Sequence, residues 1–252
     1  MNIGLMKLIT SIQNEQVKNW RKLQTKKYRT RTGQFIIEGH HLIEEAIHSN
    51  FTMETIIVNE QATISKSWSD YAITHVSDEV FKSITQTSTP QGVAAVVHMK
   101  EINERDGGPV LILDGLQDPG NVGTIIRTAD AAGVAKILIG KGTVDVYNDK
   151  VIRATQGSLF HIRIEEVETN EAVAALQVAG YTVWASALEG AKPLKEIDFS
   201  QKSALIVGNE GAGIQQTILD KADGKVKIPI YGQAESLNVS VATGILLYEM
   251  VK

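Results

Sequence analysis

The sequence predicts an α/β protein with a mostly parallel sheet, preceded by a small α+β domain. From Val110 onward, short apolar runs alternate with stretches of helical periodicity, a pattern typical of parallel sheets covered by helices on both faces. Before Lys100, short helix and strand patterns are mixed. A charged stretch that ends in Gly-Gly-Pro at 107–109 separates the two regions and indicates a linker. We therefore expect domains over residues 1–103 and 109–252.

The composition is that of a globular protein and excludes several chemistries. Of the 252 residues, 43% are hydrophobic and 21% are charged, which are ordinary values for a folded chain. There are no cysteines, which excludes disulfides, thiol nucleophiles and Cys-ligated metals and fits a reducing compartment. No apolar run approaches the roughly 20 residues of a membrane span, and no signal-peptide core is present at the start. We expect a soluble, cytoplasmic protein.

The first domain begins with a basic amphipathic stretch, which we predict to be helical from about Asn14 to Lys27. Gly33 follows and precedes an apolar run that predicts a strand. The remaining periodic segments predict one more helix and two more strands. The strand after Gly33 is expected at 35–37, the helix at 40–48, and the two further strands at 56–58 and 93–97.

Positive charge is concentrated at the start of the chain. Residues 1–33 hold eight Lys and Arg against one acid, Glu15, although the whole chain has a net charge of −4. A basic arm on an acidic body is expected where a region meets nucleic-acid phosphates. The alternative is a solvated, Lys-rich helix face. Trp20 and Tyr28 could stack on bases or could equally pack within their own domain. The cations predicted to bind phosphates are Lys18, Arg21, Lys22, Lys26, Lys27, Arg29 and Arg31.

The second domain is predicted to contain six strands and five helices. The strands are expected at 110–113, 136–139, 162–164, 182–185, 204–207 and 226–230. The helices are expected at about 122–132, 149–157, 170–179, 213–221 and 238–251. Ligands of open α/β sheets bind at the carboxyl ends of the strands. We therefore expect the site in the loops that follow Leu113, Ala185, Val207 and Ile230.

The first polar cluster, residues 114–133, follows a strand and opens a helix. Its glycine spacing does not fit G-x-G-x-x-G, and the sequence after the next strand lacks an acid placed to hold a ribose, so a dinucleotide site is not expected. Asn121 is predicted to cap the helix and Gly133 to end it. Arg127 projects away from the apolar face, where an arginine is most often simply solvated.

Two further clusters follow later strands. In residues 204–214, glycines allow a ligand to approach the backbone and Glu210 adds a charge near a helix start, although a tight turn with a helix-dipole acid is an alternative. In residues 228–244, three short polar side chains exceed what helix capping requires. These are Ser236, Asn238 and Ser240.

Other site types lack their motifs. The six histidines show no HExxH or comparable spacing, so we expect no metal. There is neither a G-x-S-x-G elbow nor a G-x-x-x-x-G-K-[ST] loop, which removes the usual anchors of hydrolases and nucleotide triphosphatases.

In this order, the three clusters resemble the three motifs of the SpoU, or TrmH-like, branch of the SPOUT RNA ribose methyltransferases. Motif one is matched by Asn121 and Arg127, motif two by GNEG at 208–211, and motif three by ESLNVSVA at 235–242. No motif position departs from the pattern.

The resemblance extends upstream. FIIEGHHLIEEAI at 35–47 and TPQGVAAVV at 89–97 are similar to the ribosomal-protein-like substrate-binding domain often fused ahead of the catalytic domain. The resemblance therefore spans nearly the whole chain. It implies a C-terminal trefoil knot that forms an S-adenosylmethionine site. It also implies a homodimer with the C-terminal helix near its interface. The cofactor-binding residues implied by the resemblance are Ser186, Leu188, Gly208, Gly211, Ile228 and Leu237.

The same resemblance implies transfer of a methyl group to a ribose 2′-hydroxyl of RNA, with Arg127 at the hydroxyl. A guanidinium is a very weak acid, so it suits stabilisation of a developing alkoxide better than proton abstraction. The residues implied to orient Arg127 and the ribose are Asn121, Glu210, Ser236 and Asn238.

The substrate is expected to be ribosomal RNA rather than transfer RNA, because residues 1–100 resemble a ribosomal-protein-like module. A non-catalytic RNA-binding or ribosome-assembly factor is the competing hypothesis. The intact polar residues of all three motifs weigh against it.

Overall fold

A computed structural model describes residues 8–199 and 202–252, which form two compact units. Unit 1 contains the described residues up to Lys100 together with the segment 147–160, and unit 2 contains the rest. The chain passes from unit 1 to unit 2 beside the predicted linker. The addition of 147–160 to unit 1 was not expected. Its physical cause is aromatic packing, because the Phe35 ring lies 4.8 Å from that of Tyr147 and the Phe51 ring lies 4.9 Å from that of Phe160.

The described elements are numbered in chain order. The helices are α1 (Glu15–Lys22), α2 (Lys26–Thr32), α3 (His40–His48), α4 (Asp78–Ile84), α5 (Pro119–Ala131), α6 (Asp149–Thr155), α7 (Thr169–Val178), α8 (Gln216–Leu219) and α9 (Val239–Met250). The strands are β1 (Gln34–Glu38), β2 (Met53–Asn59), β3 (Ile73–Val76), β4 (Val93–His98), β5 (Val110–Asp114), β6 (Lys136–Ile139), β7 (Arg163–Glu166), β8 (Thr182–Ser186), β9 (Lys192–Pro193), β10 (Ser203–Gly208) and β11 (Gly224–Lys227). Within the described ranges, no helix has the length and apolar character needed to cross a membrane.

Unit 1 is built on a four-stranded sheet in the order β1-β4-β2-β3. β4 is antiparallel to both neighbours, and β3 is parallel to β2. The predicted strands at 35–37, 56–58 and 93–97 and the helix at 40–48 are confirmed. β3 and α4 carry too short a pattern to have been predicted.

The basic stretch at 14–27 forms two helices rather than one. Thr25 adopts an extended backbone at the start of α2, and its hydroxyl donates to the carbonyl of Lys22 at 2.9 Å. This local bond competes with continuation of α1. Gly33 then ends α2 in the left-handed conformation, with φ of 65°.

Unit 2 contains a seven-stranded sheet in the order β7-β6-β5-β10-β8-β11-β9, and every pair in it is parallel. The predicted α/β class and all six predicted strands are confirmed, and β9 is an addition. β10 is buried along its whole length between β5 and β8. The carboxyl ends of these three strands are therefore adjacent. The trefoil knot stays a prediction.

Two boundaries differ from the prediction in ways that shape the site. The helix expected at 213–221 is reduced to α8, because the chain from Asn209 to Gly213 turns back on itself and closes with backbone hydrogen bonds. β11 ends at Lys227 instead of Ile230. A long connection is thereby left between β11 and α9.

Candidate active site

A cavity of about 430 Å³ opens at the carboxyl ends of β8 and β10, within unit 2. This volume lies within the usual range for small-molecule sites, about 300–1,000 Å³. The connection between β11 and α9 supplies much of one wall. Apolar lining comes from Leu188, Val207, Ile228, Ile230, Leu237 and Val239, and polar lining comes from Asn121, Ser186, Asn209, Glu210, Lys227, Ser236 and Asn238.

The loop after β10 requires a glycine at position 208 but not at position 211. A Cβ on Gly208 would lie 2.5 Å from the backbone of Gly213 and 2.6 Å from Ile214 Cγ1, which is closer than any stable contact. A Cβ on Gly211 would meet nothing nearer than Asn209 Oδ1, at 3.7 Å. Gly211 also does not line the cavity. The loop itself therefore excludes a side chain at Gly208 and leaves space for one at Gly211.

The expectation that Asn121 caps α5 is wrong. Asp118 is the cap, and its carboxylate accepts a hydrogen bond from the backbone N–H of Asn121 at 2.7 Å. Pro119 follows at the first helical position, where its fixed φ and missing N–H are tolerated. The Asp-Pro pair was a signal for this start that the sequence reasoning missed. At the other end, Gly133 follows the helix with φ of 72°, as predicted.

Freed from capping, the side chain of Asn121 joins residues of the other two motifs. Its Nδ2 donates to Glu210 Oε1 at 3.2 Å, and its Oδ1 accepts from Asn238 Nδ2 at 3.0 Å. Asn121 thus links motif one to motif two, 89 positions away, and to motif three, 117 positions away, in one hydrogen-bonded row. We call Asn238, Asn121 and Glu210 the polar row.

Asn238 has two tasks at once. Its Oδ1 caps α9 by accepting from the backbone N–H of Ser240 at 2.9 Å and of Val241 at 3.4 Å. Its Nδ2 remains available for the bond to Asn121. The capping and site interpretations are therefore compatible. Ser236, two residues earlier, lines the cavity.

The carboxylate of Glu210 is held in its ionised form. Partial burial raises the pKa of Glu210, but this is outweighed by hydrogen bonds from its own backbone N–H, from Asn121 and from the backbone N–H groups of Gln117 and Asp118. The net result is a lowered pKa. The bonds from Gln117 and Asp118 are each 3.3 Å long. At neutral pH the site therefore contains a fixed negative charge that accepts hydrogen bonds.

Arg127 is not part of the cavity wall. It lies on the exposed face of α5, opposite the buried face that contains Val122, Ile125 and Ile126. No hydrogen bond or ion pair links it to the described part of the chain. The structure therefore does not bring it to the polar row.

The predicted cations of unit 1 divide into two groups. Arg21, Lys22, Lys26, Lys27 and Arg31 are exposed, and Lys18 is half-buried and pairs with Glu15 at 2.9 Å. Arg29 is only 6% exposed, and its Nη1 donates to the carbonyl of Leu23 at 2.7 Å. The assignment of Arg29 to phosphate binding is therefore corrected, since its guanidinium is directed into the fold. Lys7, part of the same basic arm, lies outside the described residues.

The two aromatic residues of this region also differ. Trp20 is 3% exposed and belongs to the core of unit 1, so the packing alternative is right for it. Tyr28 is half-buried, and the charged ends of Lys22 and Arg31 lie 5.5 Å and 4.5 Å from its ring centroid. We call Tyr28 and the exposed cations of α1 and α2 the basic surface; these cations are Arg21, Lys22, Lys26, Lys27 and Arg31.

Together, the parallel sheet and the cavity at its carboxyl edge define an α/β enzyme domain with a small-molecule site, preceded by a smaller unit. Residues 108–248 match the model of the SpoU rRNA methylase family, and residues 14–95 match that of the MRM3-like substrate-binding domain. The chain belongs to the SpoU rRNA methylase family.

Individual relatives agree with this over nearly their full lengths. The chain is 46% identical to the 23S rRNA (guanosine(2553)-2′-O)-methyltransferase RlmP of Bacillus subtilis, over 97% of this chain and 99% of that protein. The crystal structure of the AdoMet-bound rRNA methyltransferase from Sinorhizobium meliloti superposes with a TM-score of 0.86 at 33% identity, covering 98% of both chains. The SpoU methyltransferase AviRb from Streptomyces viridochromogenes, in complex with AdoMet, gives 0.83 at 28% identity, covering 95% of this chain and 97% of that one.

Proposed function

We propose that this protein catalyses S-adenosylmethionine-dependent methylation of a ribose 2′-hydroxyl in ribosomal RNA. The observation that carries the proposal is the polar row, which brings residues of all three motifs into the wall of one cavity with both apolar and polar lining. Membership of the SpoU rRNA methylase family and the near full-length similarity to RlmP support it.

The cavity fits the cofactor in size and chemistry. Its apolar walls suit a purine ring, and the loops after β8 and β10 offer backbone groups for hydrogen bonding. Residues proposed to hold the cofactor are Ser186, Leu188, Gly208, Ile228 and Leu237, all of which line the cavity. Gly211 is retained only as part of the loop that carries Glu210. When bound, S-adenosylmethionine supplies an electrophilic methyl group.

The polar row is proposed to orient the ribose. Glu210 accepts hydrogen bonds that fix Asn121, and Asn121 in turn accepts from Asn238. Each side chain is thereby held in one rotamer, and Ser236 adds a hydroxyl nearby. Precise orientation of reacting groups recovers several kcal/mol of an activation barrier. This chain's main contribution would be to hold the hydroxyl in line for attack.

Arg127 is assigned to the RNA side of the reaction, because it is exposed and lies outside the cavity wall. A guanidinium donates hydrogen bonds in a planar fork. We propose that Arg127 binds an RNA phosphate and stabilises the alkoxide that develops on the ribose 2′-oxygen.

The basic surface of unit 1 is proposed to bind the RNA backbone. Exposed cations around an aromatic ring are suited to phosphate contacts and base stacking, which set affinity more than sequence choice. We take the substrate to be a guanosine of the large-subunit ribosomal RNA, since RlmP is named for guanosine 2553 of 23S rRNA. A ribosomal RNA substrate supports our proposal that the enzyme acts in the cytoplasm.

A homodimer is proposed to form through α9. Its inner face is buried, and its outer face exposes Val241, Ile245 and Tyr248 to between 41% and 54%. Apolar side chains repeated along one helix face are expected to pack against a partner. A second copy of this chain would cover them, next to a knotted cofactor site.

The test is transfer of a labelled methyl group to RNA from cells that lack this protein, followed by mapping of ribose methylation. We expect label in 23S rRNA at one guanosine, and none in RNA from wild-type cells. Label in transfer RNA would contradict the substrate and leave the chemistry intact. Absence of both labelling and cofactor binding by calorimetry would instead establish the competing role of a non-catalytic RNA-binding factor.

A further inference from the structure

We propose that Asn209 is a positioning residue for methyl transfer, acting through Glu210. This inference rests on the proposed function. Asn209 directly follows β10, and its side chain bonds to two loops at once. Nδ2 donates to the carbonyl of Gly115 at 2.8 Å, and Oδ1 accepts from the backbone N–H groups of Gly211 and Ala212, both at 2.9 Å.

These bonds define the shape of the loop that contains Glu210. At its base, the backbone of Asn209 exchanges hydrogen bonds of 3.0 Å and 2.9 Å with Gly213. Across its middle, Oδ1 of Asn209 binds the two N–H groups that follow Glu210. The backbone on both sides of Glu210 is therefore fixed by hydrogen bonds to Asn209. The Asn209 side chain consequently orients Glu210 toward the other members of the polar row.

The loop after β5, which contains Gly115, is also fixed by hydrogen bonds. Gly115 has φ of 75°, and its N–H donates to Thr143 Oγ1 at 2.9 Å, which itself donates to the carbonyl of Leu113 at 3.0 Å. The carbonyl of Gly115 is thus presented to Asn209 in one orientation. Two and three residues further on, Gln117 and Asp118 donate to Glu210. The bond from Asn209 to Gly115 consequently sets the separation between Glu210 and its donors.

Only an amide side chain satisfies both loops. It offers an acceptor to two N–H groups and a donor to a carbonyl oxygen. Asn209→Asp keeps the size and the acceptor but opposes the Gly115 carbonyl with a negative charge, next to the charge of Glu210. The substitution therefore removes the hydrogen bond to the Gly115 carbonyl without changing the volume of the side chain.

The experiment compares single-turnover methyl transfer, RNA KM and melting temperature for wild type, Asn209→Asp and Gln177→Glu. Gln177 is the matched control, because its Nε2 donates to the carbonyl of Lys221 at 2.8 Å and to Asp223 Oδ1 at 3.0 Å, in the same unit but outside the cavity. Both variants replace an amide donor by a carboxyl. We expect Asn209→Asp to lose at least about tenfold in rate at pH 8 with RNA KM within about twofold.

Gln177→Glu should melt at a lower temperature with an unchanged rate. An Asn209→Asp rate within about twofold of wild type would overturn the proposal. If Asn209→Asp does not fold, Asn209→Ala decides. A tenfold lower rate with unchanged RNA KM supports the role, and a rate within about twofold refutes it. A wild-type protein without methyl transfer would refute the proposed function itself.

Discussion

Arg127 and Glu210 illustrate two ways in which a single residue contributes to this site. Glu210 accepts hydrogen bonds from several backbone N–H groups and from Asn121, whereas Arg127 is exposed and makes none to the described chain. The first therefore shapes the site before RNA binds. The second acquires its role only in the complex with RNA.

Arg127→Ala should reduce methyl transfer more than tenfold, which is a loss of more than about 1.4 kcal/mol of transition-state stabilisation. Cofactor affinity should be nearly unchanged, because Arg127 does not line the cavity. Arg127→Lys should also fail, since a lysine cannot reproduce the planar fork of donors. The measurements are single-turnover rate and cofactor calorimetry. A variant that keeps more than about a tenth of the wild-type rate would disprove the assignment.

Glu210→Gln should destabilise the protein in a pH-dependent manner. The pKa of Glu210 is lowered from the ordinary value of 4.5 in the folded state, so its ionised form stabilises the fold above that value, and this contribution is lost as the pH falls through the folded pKa. The difference in unfolding free energy between variant and wild type should be largest at pH 7 and should shrink below 4.5. Urea denaturation at several pH values measures it.

The control for this series is Glu171→Gln on α7, where an exposed carboxylate is removed outside the polar row. It should show no comparable trend. A stability difference for Glu210→Gln that does not change with pH would mean that the ionised carboxylate is not the stabilising form.

At the scale of elements, the buried strands were the most predictable part of the fold. β10 was expected at 204–207 and spans Ser203–Gly208, because a short apolar run between turn signals describes a strand buried on both faces. Loops could be predicted as sites but not in detail. The bond between Asn121 and Glu210 joins residues 89 positions apart, which no local pattern specifies.

The prediction for Arg29 failed for a related reason. The cations of the short helix α2 lie on several sides of the helix, so the sequence does not indicate which of them faces the core. Tertiary packing determines that Arg29 is the buried one. The transfer of 147–160 to unit 1 has the same origin, since it depends on ring contacts with Phe35 and Phe51.

The loop after β10 should distinguish its two motif glycines. Gly208→Ala places a Cβ 2.5 Å from the backbone of Gly213, so we expect a loss of about 1–3 kcal/mol in unfolding free energy and weaker cofactor binding. Gly211→Ala has space around its Cβ and should be close to wild type in both. Urea unfolding and calorimetry measure the two effects. Equal losses in the two variants would contradict this view of the loop.

At the scale of the whole molecule, the basic surface should set the salt dependence of RNA binding. Changing Arg21, Lys26 and Lys27 together to Gln should weaken binding and flatten the plot of log affinity against log salt by about 0.7–0.9 for each lost phosphate contact. The modified nucleotide should not change. The control variant loses the same amount of charge in unit 2, where three exposed lysines are changed to Gln. These are Lys192, Lys195 and Lys221. An equal effect of the two triple variants would indicate that general charge, not this surface, attracts RNA.

The outer face of α9 should determine the oligomeric state. Ile245→Glu places a charge in the middle of the exposed apolar row, and burying an unpaired charge against a second copy is strongly unfavourable. We expect a folded monomer by sedimentation velocity and circular dichroism. The control is Val178→Glu, because Val178 is 91% exposed at the end of α7, away from this row. An Ile245→Glu protein of unchanged mass would show that α9 is not the interface.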